Sequence, residues 1–358
     1  MKFSGLLRPL NDETFPSWLI RCALNPRISC ISERDIAEWA SLDFQKRLFL
    51  SNALGMEFDF NESRGLELAS ELQLDIYVIQ KLFEPLPTPL LTPQHRVAYC
   101  HLCIRLDVSQ KRYPSWRKSW CYVTHPYCSV HRCLLSYIDR CEIIDKQWGA
   151  YVSDAIGDYV PGRLKSCYKR KPGILPGDSR AWLTLRVQMW IEMLHRRDSC
   201  ALPGTNIVVE TSKIISAVDL IIRIFLIPRT RRYSSGVASL LSDAYTTIVH
   251  HKNHLSERLE YGAPNSVPYE RMCALLLLGV IFKLFSQKEL SLLQGLLSLS
   301  EFNIPDFRHL GRLITGCIDI HEYEMLVGLL DNLGEISLFL REFIEGTSWR
   351  LAKIYDHR

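Results

Sequence analysis

Apolar residues recur along most of this chain at the three-to-four-residue spacing of amphipathic helices, and strand-like alternation is scarce. Phe15, Trp18, Leu19 and Cys22 share one face of a helix expected over 11–24. Asn11, Asp12 and Glu13 precede it as start signals, and Pro16 falls in the first turn, where a missing N–H costs little. Acidic groups at that end complement the helix dipole. Two short helices are expected over 32–39 and 44–54, followed by a longer apolar pattern over 62–83. Residues 68–82 have the form of helix–turn–helix, with a first helix ending near Leu72 and Asp75 capping the second. Lys81 is the lone cation of that second helix. A plain helical hairpin therefore accounts for the pattern as well as a groove-reading unit does.

Pro85, Pro87, Pro89 and Pro93 predict a stiff, extended linker. Short strands are expected over 120–124 and after His131, and 141–176 is poorly patterned. From Ser179 onward the chain is helical again. Trp182, Leu185, Val187, Met189, Trp190 and Leu194 share helical spacing, and a helix over 214–227 stops at Pro228. The stretch 269–285 is nearly all apolar, which predicts the central helix of a bundle. Ser286 and Glu289 form a capping box for the next helix, and further helices follow over 305–314, 320–330 and 336–344, with Gly334 between the last two. The expected fold is mainly α in three parts: an N-terminal helix-turn-helix block over 1–92, a small zinc-ribbon module over 93–176, and a C-terminal helical bundle with helix-turn-helix-like units over 177–358.

Composition adds bounds. The 358 residues are 47% hydrophobic and 23% charged, the profile of a globular protein with a substantial core. Residues 1–10 lack the apolar run of a secretory signal, and 272–285 is too short to span a bilayer. Twelve cysteines without such a signal point to a reducing, cytoplasmic setting, where clustered thiols are ligands more often than disulfides. Net charge is only +4, but its distribution is uneven. Arg96, Arg105, Lys111, Arg112, Arg117 and Lys118 are opposed by Asp107 alone, Arg163, Lys165, Lys169, Arg170 and Lys171 form a second run, and Arg229, Arg231 and Arg232 a third. A single run is most simply a solvated surface. Three runs, the first interleaved with Tyr113, Trp116 and Trp120, fit a phosphate backbone better.

The most specific signal is a pair of knuckles. Cys100-His-Leu-Cys103 and Cys128-Ser-Val-His131 each place two soft donors three positions apart, so that a tight turn aims both at one ion. Four protein ligands leave no position for water, so the expected ion is a single structural Zn²⁺. Free cysteines in a buried apolar patch explain the residue type but not two knuckles in one segment. His101, Cys121, His125, Cys133 and Cys141 lie close enough in sequence to replace a named ligand.

In combination these features resemble the TniQ family. The run Leu7-Arg-Pro-Leu-Asn-Asp-Glu-Thr-Phe-Pro-Ser-Trp-Leu19 is similar to that family's opening motif, and Tyr99-Cys-His-Leu-Cys103 resembles its first zinc knuckle. The stretch from Trp116 to Trp120 resembles its aromatic connector, and Cys128 to His131 followed by Leu134 and Leu135 its second knuckle. The resemblance covers residues 7 to about 141; beyond Pro176 it is only in being helical. It implies target selection in transposition by TnsD/TniQ-type elements. Such proteins tell the AAA+ ATPase TnsC where to assemble, and TnsC recruits the transposase. TnsD-like members bind an attachment site on DNA directly. Others ride on an RNA-guided Cascade complex as a head-to-tail homodimer contacting its crRNA-processing end. Many relatives carry a second zinc site, whereas here only Cys141 and Cys167 remain, neither in a C-x-x-C pair. One zinc is therefore expected, and loss of that module together with moderate length favours the guide-dependent adaptor.

Three functions compete on these grounds. The first is a non-enzymatic adaptor whose contact surface is drawn from Arg105, Lys111, Arg112, Trp116, Arg117, Lys118, Lys169, Arg170 and Lys171; Trp116 and Trp120 can equally serve to cover the metal module. The second is a sequence-specific DNA binder acting without guide RNA. The third, a zinc hydrolase or nuclease, needs an open coordination position and a carboxylate base. No H-E-x-x-H occurs, the knuckles hold no acid, and His250 and His251 are adjacent in a helical pattern and so face different ways.

Overall fold

The computed structural model describes residues 6–25, 75–138, 146–156, 179–230, 238, 248–249, 254–296, 306–315 and 320–347. The helices expected over 32–39 and 44–54, and the first half of the helix-turn-helix pattern, lie outside these residues. What is described is mainly helical, with a few strands of two or three residues. The chain divides into two compact units, Met1–Tyr122 with Leu135–Lys171, and Val123–Leu134 with Pro172–Arg358.

In the first unit, helix α1 (Phe15–Ala23) begins later than its start signals suggest. Thr14 is the N-cap, no acid lies in the first turn, and Pro16 occupies an early position as expected. Asp12 and Glu13 are used otherwise. Asp12 adopts a left-handed φ of 64° and accepts from the backbone and hydroxyl of Ser119. Glu13 is buried, paired with Arg21 at 2.7 Å, and also accepts from Ser17 Oγ and Leu10 N–H. The dipole role expected for these acids is thus replaced by a turn anchor and a buried ion pair. Helix α2 (Ile76–Phe83) is capped by Asp75, whose side chain accepts from Tyr77 N–H at 2.9 Å. Phe15, Trp18 and Phe83 meet with ring centroids 5.2–5.8 Å apart, joining α1 to α2.

The proline segment is not a free spacer. Leu86 N–H donates to Tyr122 Oη at 2.9 Å, Leu90 bridges Tyr122, Leu91 N–H donates to Cys121 O, and Pro93 opens a 3₁₀ turn. Its prolines lack donors, but the residues between them supply the N–H groups that fasten it. Strand β1 (Ala98–Tyr99) leads into α3 (His101–Ser109) and pairs antiparallel with β2 (Ser136–Tyr137). Residues 120–124, expected as a strand, instead begin inside a 3₁₀ turn over Lys118–Cys121 and bridge only at Tyr122. Helix α4 (Lys146–Ile156) arises inside the stretch that carried no clear pattern. It packs on α3, with Arg105 paired to Asp154 and Lys146 Nζ lying 4.6 Å from the Trp116 ring centroid.

The second unit is built on helices. These are α5 (Ser179–Leu194), α6 (Thr211–Phe225), α7 (Leu255–Gly262), α8 (Pro268–Ile281), α9 (Gln287–Leu296), α10 (Phe307–Thr315), α11 (Ile320–Asp331) and α12 (Glu335–Phe339), the last continued by helix over 341–347. A hairpin of β3 (Ser199–Ala201) and β4 (Val208–Glu210), absent from the sequence expectation, joins α5 to α6. The short β5 (Arg229–Thr230) and β6 (Ile248–Val249) pair in parallel. Helix α8 is the centre, as its composition predicts. Every residue in it except Tyr269 is buried, and it packs on α5 and α6. Gly279 permits this, because a Cβ there would lie 2.7 Å from Val187 of α5 and 2.3 Å from Phe285. The capping box of α9 forms as expected, with Ser286 N–H donating to Glu289 Oε2 at 2.8 Å and Glu289 N–H to Ser286 Oγ. The spacing that located α5 mis-aimed part of it: Trp182 and Met189 are exposed, while Thr184 and Gln188 are buried.

Candidate metal centre

The first knuckle is a strand-to-helix junction rather than a free-standing tight turn. Cys100 is the N-cap of α3 in extended conformation, and Cys103 lies in the first turn. Positions three apart at a helix start lie on one side, so both thiols aim the same way. Ile104 N–H donates to Cys100 O at 3.1 Å, fixing that turn. The second knuckle is a compact hairpin. Cys128 N–H donates to Cys133 O, Arg132 N–H donates to Cys128 O, and Tyr127 bridges Leu134. Arg132 takes a left-handed φ of 51° to close the turn. Inside it, His131 N–H points at Cys128 Sγ at 3.5 Å, a contact that favours the thiolate form of a ligand.

One donor atom from each of Cys100, Cys103, Cys128 and His131 lies within 4.8 Å of all the others. The three cysteines are buried and His131 is partly so. Sulfur ligands about 2.3 Å from a tetrahedral ion stand about 3.8 Å from one another. Cys128 Sγ and His131 Nδ1 are 3.8 Å apart, in keeping with that spacing. The four residues can hold a metal ion, and as a closed set of protein donors they suit a structural one.

The alternative donors are placed differently. His125 is buried with Nδ1 2.9 Å from Thr124 Oγ1 and Nε2 3.0 Å from Glu192 Oε1. Cys121 Sγ lies 3.7 Å from Arg117 O. Neither these nor His101 and Cys133 join the donor group found among the described residues. Cys141, His250 and His251 lie outside those residues.

Sequence reasoning missed what fixes the second knuckle within its unit. Besides His125–Glu192, Gln188 donates to Tyr127 O at 3.4 Å, and Tyr127 Oη lies 3.1 Å from Met272 Sδ. Glu192 is held below the usual carboxylate range, first by its hydrogen bond with His125, which outweighs the opposing effect of burial. Nothing in the local sequence marks Glu192 as the partner of a histidine 67 residues earlier.

The basic and aromatic candidates separate into three groups. Trp116 is fully buried against Trp120, at a centroid distance of 5.3 Å, and Tyr99, at 6.1 Å. It is core, and the contact role expected of it is withdrawn, because a ring with no exposed surface has none to offer a partner. Arg117 and Lys118 are held by their own chain. Arg117 donates to Asn11 O and pairs with Asp107 at 3.5 Å, while Lys118 Nζ donates to Leu82 O and Glu84 O. Burial lowers the Lys118 pKa, opposed by Asp12 and Glu84. Arg105 is exposed but paired with Asp154, and Lys111 and Arg112 are exposed with no ion pair among the described residues. Lys169, Arg170 and Lys171 lie outside those residues.

No known family model, curated protein or solved structure matches this chain.

Proposed function

We propose that this chain is a non-enzymatic target-selection adaptor of the TniQ type in DNA transposition. In this reading it links an RNA-guided Cascade complex and its crRNA to the AAA+ regulator TnsC, and through it to the transposase, as a homodimer in a prokaryotic cytoplasm. The observation that carries the reading is how the resembling segments meet. Residues of the opening motif bond to the aromatic connector about a hundred positions away: Thr14 N–H donates to Trp116 O at 2.9 Å, Trp116 N–H to Ser17 Oγ at 2.8 Å, and Lys118 N–H to Asp12 O at 2.7 Å. These bonds support reading the two segments as parts of one structural element. Asp107, on the helix of the first knuckle, accepts from Ser115 N–H and Oγ and so ties that connector to the metal segment.

The ion in this reading is one Zn²⁺, chosen by three thiolates and an imidazole, which favour a borderline-soft tetrahedral cation. Cys100, Cys103, Cys128 and His131 would hold it. Its contribution is shape, because a closed donor set leaves no position for a reacting water.

Co-purification tests the adaptor role. The tagged full chain, expressed beside Cascade subunits and an AAA+ ATPase of the same element, is expected to capture both. Capture of neither overturns the reading. Selection from a random duplex library separates the TnsD-like alternative: a strong consensus with a steep salt slope assigns direct site binding, and little selectivity fits the adaptor.

A further inference from the structure

We propose that Tyr113, Trp148 and Tyr151 form a stacking shelf for the bases of an unpaired nucleic-acid strand, with Lys111 and Arg112 holding its phosphates. The shelf extends the adaptor reading, and rests on it only in expecting nucleic acid near the first unit. Trp148 lies in the middle of the row. Its ring centroid is 5.9 Å from that of Tyr113, with planes 16° apart, and 5.2 Å from that of Tyr151. At 5.9 Å the near-parallel Tyr113 and Trp148 rings are offset rather than eclipsed, while the Trp148 and Tyr151 rings are tilted by 36°.

Exposure distinguishes this row from the core. Trp18, Trp116 and Trp120 of the same unit are at most 2% exposed, whereas Trp148 is 45% exposed. A tryptophan recruited only to cover the α3–α4 contact would be expected to bury its ring as those do. Tyr113 and Tyr151, on either side of Trp148 in the row, are half-buried.

The charge beside the row favours a polyanion. Lys111 and Arg112 directly precede Tyr113, both are exposed, and neither is ion-paired among the described residues. Their backbone is fixed, since Lys111 N–H donates to Val108 O and Arg112 N–H to Asp107 O, with Lys111 at a left-handed φ of 57° just past the end of α3. Two cations on a rigid turn, with no ion pair among the described residues, beside a tryptophan that is 45% exposed match the pairing of phosphate contact with base stacking that single-strand binders use. A duplex keeps its bases stacked inside and presents no free face to such a row.

The test is fluorescence anisotropy of labelled oligo-dT and oligo-U, about 16 nucleotides long, and of a duplex of equal length, titrated with the full metal-loaded chain. Single strands are expected to bind more tightly than the duplex. Trp148→Ala weakens single-strand binding about five- to 150-fold, as loss of one stacked base predicts. Trp148→Phe, which keeps a ring, recovers most of it. The surface pair Lys111→Ala and Arg112→Ala, which removes no packing, lowers the logarithmic salt slope by about 1.4. Circular dichroism and metal content verify that each variant is folded. Equal or tighter duplex binding, no binding of either, or an unchanged affinity in folded Trp148→Ala overturns the shelf. Capture of the AAA+ ATPase is measured in parallel. Capture without single-strand binding discards the shelf and leaves the adaptor reading, and single-strand binding without capture does the reverse.

Discussion

Glu13 illustrates how much a single side chain can depend on residues far from it. It precedes α1 where a capping acid is expected, yet its carboxylate is spent on Arg21, Ser17 and Leu10 in a buried site. Removing one member of such a pair strands the other charge. Glu13→Gln is therefore expected to destabilise the protein by about 3–5 kcal/mol in urea unfolding, and an apolar replacement of both residues to recover most of that loss. Glu192 gives a pH-dependent counterpart. Its folded pKa lies below the ordinary value of 4.5, so its contribution is complete above that pH and is lost as the pH falls through the folded value. The stability gap between wild type and Glu192→Gln is expected to close as the pH falls through the folded pKa of Glu192, read from denaturation midpoints across an acid pH series. At this scale the cysteines and His131 were legible because each knuckle is local in sequence. The partners of Glu13 and Glu192 were not, because burial rather than spacing selects them.

Helix periods were the best-read elements. The positions of α2, α5, α6, α8 and α9 follow from apolar spacing, the Asp75 cap and the Ser286–Glu289 box. Short elements were mostly lost. Strand β2 falls after His131, where one was expected, but β1, β3 and β4 have two or three residues each, too few to show alternation, and α4 hides because Trp148 stays half in water instead of marking a buried stripe. The proline run misled because its fastening comes from Tyr122 and Cys121, beyond any local pattern. Between α10 and the helix over 341–347 the decisive residues are glycines: a Cβ at Gly311 would lie 2.2 Å from Phe343 O, and one at Gly346 would lie 2.1 Å from Arg308 O. Gly346→Ala is expected to cost about 1–3 kcal/mol by forcing the backbones apart. Arg308→Ala removes an exposed ion pair with Glu345 and should change stability by less than about 1 kcal/mol. Thermal unfolding of the two variants compares them directly.

For the whole molecule, the largest single lever is the ion expected at Cys100, Cys103, Cys128 and His131. Mass spectrometry under native conditions is expected to find one zinc per chain, and a strong chelator to remove it with a fall in Tm, since ligand binding of this kind contributes directly to folding. Cys128→Ser should reproduce that fall and leave the chelator without further effect. Among the described residues no helix is long and apolar enough to cross a membrane. Helix α8 nevertheless has a problem usually met by such segments: it is greasy on nearly every side and has no orientation that water tolerates. The order of synthesis eases this. Helices α5 and α6, on which α8 packs, precede it in the chain and so leave the ribosome first, which puts its packing partners at hand when the sticky segment emerges. Fragments that start after α6 forfeit those partners and are expected to clump, so pieces of this half of the protein are expected to stay in solution only if they begin no later than Ser179.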